Sequence, residues 1–137
     1  MAGIESSFPV SYFKNYYTFG IGPAVELDYQ LIHKLSITFS ASYLKYYINT
    51  NNLDITGSED FLPMEFGLKL YTLKNIYFSA GTGINLDFGN VITPYKIFSI
   101  GIGKELLKKL DISLKYERTG KFDFTPNVFK VKAAYIF

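Results

Sequence analysis

The 137-residue sequence predicts an all-β fold, an eight-stranded antiparallel up-and-down transmembrane β-barrel that takes in residues 1–137 as a single domain. Three observations predict it. Apolar and polar residues alternate over long segments, which is typical of strands with one apolar and one polar face. Short and long connections also alternate, as they do in barrels that cross an outer membrane. Several strands reach ten to fourteen residues, enough for the roughly 9–11 that a tilted membrane strand needs.

The segment YTFGIGPAVELDYQ (17–30) shows the alternation most clearly. Its odd-numbered residues, from Tyr17 to Tyr29, are apolar, and its even-numbered residues, from Thr18 to Gln30, are small or polar. Pro23 lacks the backbone donor that a sheet ladder uses. Because the alternation continues on both sides of Pro23, we expect a bulge or weak point there and not the end of a strand.

Six more segments repeat the pattern: 35–47, 61–72, 76–88, 96–105, 110–119 and 128–137. Residues 2–8 (AGIESSF) supply a short eighth strand, with Ile4 and Phe8 opposite Gly3, Glu5 and Ser7. The short connections are 31–34, 73–75 and 106–109, and the long ones are 9–16, 48–60, 89–95 and 120–127. An even strand count places both termini at the end of the barrel that carries the short turns.

The apolar faces are expected to point outward, into lipid. The chain holds 13 Phe and 12 Tyr, and rings this numerous would overfill the interior of an eight-stranded barrel. The polar faces are rich in Gly and Ser, which suit a crowded interior, whereas a soluble barrel would usually carry Lys and Glu outside. The alternative is a soluble lipid-binding β-barrel with these faces reversed and a dry interior.

Composition excludes several classes of function. A net charge of +2 is too small to indicate nucleic-acid binding. Without cysteine there is no disulfide framework, thiol nucleophile or zinc–thiolate site, and we expect no cofactor. No apolar run is long enough for a transmembrane helix. The N-terminal residues MAGIESSF do not resemble a signal peptide, so for an exported protein we expect this sequence to begin after the cleavage site.

Charged residues on the inward faces predict an ionic network that plugs the lumen, because buried charges need partners. Its members are Glu26, Asp28, Glu65, Lys69, Lys115, Glu117, Lys130 and Lys132. If residues 120–127 close a regular hairpin, Glu117 faces Lys130 and Lys115 faces Lys132. The alternative is an ion or proton path, but eight strands leave no open pore.

Other residues are candidates for contacts at the two ends of the barrel. Lys45, Lys96 and Arg118 have outward parity near the long loops, where they meet lipopolysaccharide phosphates or simply extend to the interface. The longest loop, 48–60, is the best candidate for contact with a partner, through Asn51, Asp54, Glu59 and Asp60. The only histidine, His33, lies in a short turn, which favours a solvated residue over a catalytic base.

The sequence resembles the small bacterial outer-membrane β-barrel proteins, the class of the OmpA transmembrane domain and OmpX, and most of all the PorT-like outer-membrane β-barrel domain. The resemblance rests on FGIGPAVELDY (19–29), LPMEFGLKLYTLKNIYFSAGTGINL (62–86), FSIGIGKEL (98–106) and the terminal KVKAAYIF. It covers essentially the whole chain. Tyr135 and Phe137 resemble the terminal signal that the barrel-assembly machinery reads.

The resemblance implies a bacterial outer-membrane location, with the short turns and both termini in the periplasm and the long loops outside. It implies a non-enzymatic structural anchor or an interaction or adhesion protein acting through its loops. The expected partners are membrane lipids, lipopolysaccharide, the assembly machinery and a possible protein at the long loops. The enzymatic alternative is a lipid A-modifying barrel, for which His33 lies at the wrong end.

Overall fold

The computed structural model describes residues 1–10, 17–48, 58–88, 92–120 and 127–137. These residues form nine strand segments: β1 (Ala2–Val10), β2 (Tyr17–Ile32), β3 (Leu35–Ser42), β4 (Leu44–Ile48), β5 (Ser58–Leu73), β6 (Ile76–Phe88), β7 (Ile92–Leu106), β8 (Leu110–Gly120) and β9 (Asn127–Tyr135). The described part of the chain has no helix long and apolar enough to cross a membrane.

The strands form one closed antiparallel sheet. β1 pairs along one edge with β2 and along the other with β9, from Ala2 opposite Tyr135 to Val10 opposite Asn127. β1 is therefore longer than the short first strand that the sequence predicts, and it is the partner that closes the barrel. β3 and β4 both lie between β2 and β5, and their register with β5 is continuous, so they are two parts of a single wall strand. The prediction of an eight-stranded antiparallel barrel is confirmed.

The break between β3 and β4 falls at Tyr43, directly opposite Pro23. The Tyr43 amide donates a 3.0 Å hydrogen bond to the Pro23 carbonyl oxygen, but Pro23 has no amide hydrogen to donate in return. β2 itself runs through Pro23 without ending. The expected weak point is therefore present, and it interrupts the neighbouring strand.

The polar faces line the interior and the apolar faces cover the outside. Leu27 and Ile100 are 70% and 64% exposed, whereas Glu26 and Glu117 are each 2% exposed. A soluble barrel with reversed faces is wrong, because its interior would have to be apolar and its exterior charged.

One predicted register is wrong. Lys115 lies opposite Lys130, and Glu117 lies opposite Val128, so β8 and β9 are offset by two residues from the expected hairpin. Lys132 lies opposite Ser113. A two-residue offset leaves every side chain on the face it was assigned to, because the side-chain period of a strand is two.

Candidate functional site

The charged side chains of the lumen form two clusters. The turn-end cluster lies nearer the short turns and consists of Glu26, Asp28, Lys69, Asp111 and Lys132. The Lys69 ammonium is paired with the Glu26 carboxylate, and its Nζ lies 3.0 Å from Asp28 Oδ2. Lys132 Nζ lies 2.5 Å from the other Glu26 oxygen and 3.8 Å from Asp111 Oδ1. Glu26 therefore joins two lysines that come from different walls of the barrel.

Tyr77 supports the turn-end cluster from β6. Its hydroxyl donates to Asp111, with O–O distances of 3.0 and 2.7 Å to the two carboxylate oxygens. Lys69 Nζ lies 4.5 Å above the centre of the Tyr77 ring, which adds a cation–π attraction. The ring fits because Gly103 faces it: a Cβ at Gly103 would lie 2.2 Å from the Tyr77 ring.

The central cluster lies on the long-loop side of the turn-end cluster and consists of Glu5, Glu65, Lys115, Glu117 and Lys130. Lys130 Nζ lies 2.5 Å from Glu117 Oε2 and 3.4 Å from Glu5 Oε1. Lys115 Nζ lies 2.9 Å from Glu65 Oε2, which joins β8 to β5 across the lumen. Two hydroxyl groups complete the cluster, because Ser42 donates to Glu5 at 2.9 Å and Ser99 donates to Glu65 at 3.1 Å.

A cluster of buried apolar residues, which we call the apolar cap, lies in the lumen beyond the central cluster, toward the long loops. It consists of the buried residues Leu44, Tyr46, Phe61 and Val128. The Tyr46 and Phe61 rings meet edge-on with their centres 5.1 Å apart. The Tyr46 hydroxyl lies 2.5 Å from Ser7 Oγ, so its polar end is also paired.

Little space remains between these layers. The cavity bounded by both ionic clusters has a volume of about 10 Å³, which is close to the space that one water molecule needs. The clusters hold six carboxylates (Glu5, Glu26, Asp28, Glu65, Asp111, Glu117) and four ammonium groups (Lys69, Lys115, Lys130, Lys132). The two clusters together thus hold more acidic than basic groups.

A wider vestibule of about 500 Å³ opens at the short-turn end. His33 and Lys34 lie on its rim, and Asp28, Tyr71 and Glu105 line it. The Tyr71 hydroxyl donates a 2.7 Å hydrogen bond to Glu105. His33 therefore lies in a short turn, as the sequence predicts, at the end opposite the long loops. The described residues contain no group of His, Cys, Asp and Glu side chains suited to hold a metal ion.

The predicted rim residues do not form one site. Lys45, Lys96 and Arg118 are all exposed on the outward face near the long loops. Lys96 and Arg118 lie on the adjacent strands β7 and β8, two residue pairs apart. Lys45 lies on β4, on another side of the barrel, opposite Asp60 of β5.

The remaining predicted residues are the loop contacts and the terminal assembly signal, which lie at opposite ends of the barrel. Glu59 and Asp60 belong to the long-loop end of β5 and are partly exposed. Asn51 and Asp54 fall outside the described residues. Tyr135 and Phe137 are 51% and 88% exposed, and their ring centres lie 5.8 Å apart.

The sequence reasoning missed the hydroxyl groups that complete the lumen and the large residues among them. Tyr46 has inward parity, and it occupies space left by a glycine on β2: a Cβ at Gly20 would lie 2.9 Å from the Tyr46 ring. The signal was available in the alternation itself, because an inward tyrosine in a narrow barrel requires a glycine on a facing position.

Several solved structures match this chain over nearly its whole length. The attachment invasion locus protein Ail of Yersinia pestis matches with a TM-score of 0.69 at 15% identity, over 99% of this chain and 95% of that chain. The N-terminal β-barrel domain of Pseudomonas aeruginosa OprF matches with a TM-score of 0.65 at 9% identity, over 99% and 96%. Neisserial surface protein A matches with a TM-score of 0.54 at 16% identity, over 98% and 90%.

The chain has the fold of a small bacterial outer-membrane β-barrel. The resemblance predicted from the sequence is confirmed at the level of the fold. No family model matches the sequence, and no curated protein matches it. At these identities the likeness describes architecture, so the role of the chain has to be argued from its own residues.

Proposed function

We propose that the chain is an integral protein of a bacterial outer membrane, with the outward apolar belt in contact with lipid. The observation that carries this proposal is the inverted distribution of polarity. Phe66, Leu68 and Leu70 point outward along β5 at 46–55% exposure, while Glu65 and Lys69 on its other face are buried. A closed barrel leaves no unpaired backbone edge, which is the condition for placing strands in hydrocarbon.

The height of the belt supports this proposal. On β7 the outward residues Phe98, Ile100 and Ile102 are bracketed by Lys96 and Lys104. Eight residues separate the two lysines, which is roughly 26 Å along a strand and about 20 Å after a tilt of about 40°. Because lysine stems extend outward to reach the interface, this spacing suits an apolar band of roughly 25 Å.

Refolding tests the proposal directly. The chain is diluted from urea into buffer with or without detergent micelles, and its gel mobility is compared before and after boiling. We expect a compact species that forms only with micelles and changes mobility on boiling. A monodisperse β-rich protein in plain buffer would contradict the proposal, because the exposed apolar belt could not remain in water.

We propose further that the short turns and both termini face the periplasm and the long loops face outward. The alternation of connection lengths supports this orientation, since periplasmic turns are short in such barrels. A cysteine introduced in a short turn should be protected from a membrane-impermeant maleimide on intact cells. Because the chain has no cysteine of its own, labelling would report only the introduced position.

We propose that the barrel is non-enzymatic and that its lumen does not conduct ions. The apolar cap and the two ionic clusters support this, since the cavity bounded by the two clusters has a volume of only about 10 Å³. Planar-bilayer recording should show no unitary conductance steps. Cells that carry the His33→Ala variant should contain the same lipid A species as cells that carry the parent protein. A difference in lipid A species between the two would indicate the enzymatic alternative.

We propose that any specific interaction, such as adhesion, occurs through the long loops. The first structural match supports this by its name, which refers to attachment and invasion, and by a second structure of it that contains a heparin analogue. The connection between β4 and β5 is the first to test, with Asn51 and Asp54 between the strands and Glu59 and Asp60 at the start of β5. Replacing residues 49–57 by an equally long Gly–Ser segment should reduce cell adhesion without changing heat-modifiable mobility, and unchanged adhesion would exclude this loop.

At the outer rim we propose that Lys45, Lys96 and Arg118 bind lipopolysaccharide phosphates. Exposure and outward direction at the long-loop end support this for all three residues. Lys96 and Arg118 are close enough to share one phosphate-rich headgroup. Substituting both by glutamine should weaken the stabilisation of the refolded barrel by lipopolysaccharide more than substituting Lys45 alone, since Lys45 lies opposite Asp60.

A further inference from the structure

Five exposed lysines surround the short-turn end of the barrel, and we call them the lysine collar: Lys34, Lys74, Lys104, Lys108 and Lys109. Lys34 lies in the β2–β3 turn, Lys74 in the β5–β6 turn, and Lys108 and Lys109 in the β7–β8 turn. Lys104 is an exposed outward-facing residue near the turn end of β7. Each of the three short turns therefore presents at least one ammonium group.

The collar has no counterions of its own within the described residues. The side-chain carboxylates at this end are Asp28, Glu105 and Asp111, and all three face the lumen or its vestibule. Each is bonded to a lumen side chain, as described above. No collar lysine takes part in an ion pair among the described residues. The three carboxylates are thus bonded inside the barrel, whereas the five lysines are exposed, two of them (Lys34 and Lys74) beside the vestibule.

Apolar side chains lie among the collar lysines. Ile32, Leu73 and Leu107 are 64%, 74% and 93% exposed and lie within two residues of a collar lysine in sequence. Leu107 and Lys108 form the tip of the β7–β8 turn with φ of 52° and 57°. Such a turn usually carries Asn–Gly, and a leucine gains nothing there from contact with water. Its exposure becomes favourable where the turn rests against hydrocarbon.

We propose that the lysine collar binds the headgroups of anionic phospholipids in the leaflet at the short-turn end. This inference rests on the proposed function, because it needs the apolar belt to lie in a bilayer. The collar is continuous with that belt, so its lysines lie at the level of the lipid phosphates. Basic residues near an anionic surface add attraction residue by residue.

The absence of tryptophan allows a local test. Leu73→Trp places a single fluorophore beside the collar, and Tyr47→Trp places one at the long-loop end, where the tyrosine is 44% exposed. Each variant is refolded into phosphatidylcholine vesicles that contain an equal fraction of brominated phosphatidylglycerol or brominated phosphatidylcholine. Quenching then reports the composition of the lipid that surrounds each probe.

We expect brominated phosphatidylglycerol to be enriched about threefold or more around the Leu73→Trp probe at low salt. The enrichment should fall in 0.5 M salt, because the Debye length then shortens to about 4 Å. Replacing all five collar lysines by glutamine in this background should abolish the enrichment. The matched control replaces Lys45, Lys96 and Arg118 by glutamine and should leave it unchanged. Heat-modifiable mobility checks that each variant is folded.

The outcomes separate the two proposals. Equal quenching by the two brominated lipids at Leu73→Trp, or enrichment that survives loss of the five lysines, would overturn the collar inference while leaving the barrel in its bilayer. Absence of quenching by either lipid at both probes would mean that the chain has not inserted, and the proposed function itself would then fail.

Discussion

Replacing Lys130 by methionine is expected to destabilise the barrel strongly. Lys130 Nζ lies 2.5 Å from Glu117 Oε2 and 3.4 Å from Glu5 Oε1. The Lys130 and Glu117 side chains are 3% and 2% exposed. Methionine fills a similar volume without a charge, so the substitution leaves two buried carboxylates without their shared ammonium group.

The distances give the scale of the effect. With an effective dielectric constant of about 20, the gross attraction is about 7 kcal/mol at the Glu117 distance and about 5 kcal/mol at the Glu5 distance. Desolvation of each ion offsets several kcal/mol of this attraction. We therefore expect Lys130→Met to lower the free energy of unfolding by about 3–5 kcal/mol, the usual cost of breaking a buried pair from one side.

A double variant separates the pair from the general effect of altering the lumen. Adding Glu117→Gln to Lys130→Met removes one of the stranded charges and should recover about 2 kcal/mol or more relative to the sum of the single changes. Unfolding is followed in urea by far-ultraviolet circular dichroism of protein refolded in micelles. Lys104→Met, on the exposed face, is the control and should change stability by less than about 0.5 kcal/mol. Strict additivity of the two lumen substitutions would refute the reasoning.

Three further predictions concern single positions. Gly83→Ala would place a Cβ 1.9 Å from a backbone oxygen of β5 and should lower the free energy of unfolding in urea by about 1–3 kcal/mol. In the control Gly81→Ala the nearest atom to the new Cβ is a side-chain oxygen at 3.2 Å, so the loss should be smaller. Equal losses would contradict the steric explanation. Tyr46→Phe leaves the fully buried Ser7 hydroxyl without its donor and should cost about 1–2 kcal/mol, measured against the same change at an outward tyrosine. Deleting Phe137, which is 88% exposed, should slow assembly in cells and leave refolding in micelles unchanged; equal slowing in both would indicate a stabilising role in place of a recognition signal.

The faces of the strands could be predicted because one physical constraint acts on every residue of a barrel wall. A side chain points either to the lumen or outward, and a slip by one residue would bury Leu27 and expose Glu26. Alternation therefore assigns Glu26 and Leu27 to opposite faces of β2, as their exposed fractions of 2% and 70% show. It also accounts for Pro23, where parity on both sides predicted a defect inside the wall.

Register and partners could not be predicted in the same way. An offset of two residues between β8 and β9 keeps both faces intact, so the pattern does not distinguish Lys130 opposite Glu117 from Lys130 opposite Lys115. The Lys115–Glu65 pair joins strands that are not neighbours, and only closure of the barrel brings those side chains to 2.9 Å. The lumen roles of Tyr46 and Tyr77 were not predicted, because tyrosine was counted among the apolar residues. Gly20 and Gly103 nevertheless mark the space that each ring occupies.

The gap at Tyr43, opposite Pro23, determines where the wall should open first. A closed sheet has no free edge from which strands can separate, so unzipping has to begin at a defect within the ladder. At this position two neighbouring strands share a hydrogen bond in one direction only. We expect amide protons next to Tyr43 to exchange with solvent deuterium sooner than those of β6 and β7, whose pairing runs unbroken over thirteen residue pairs.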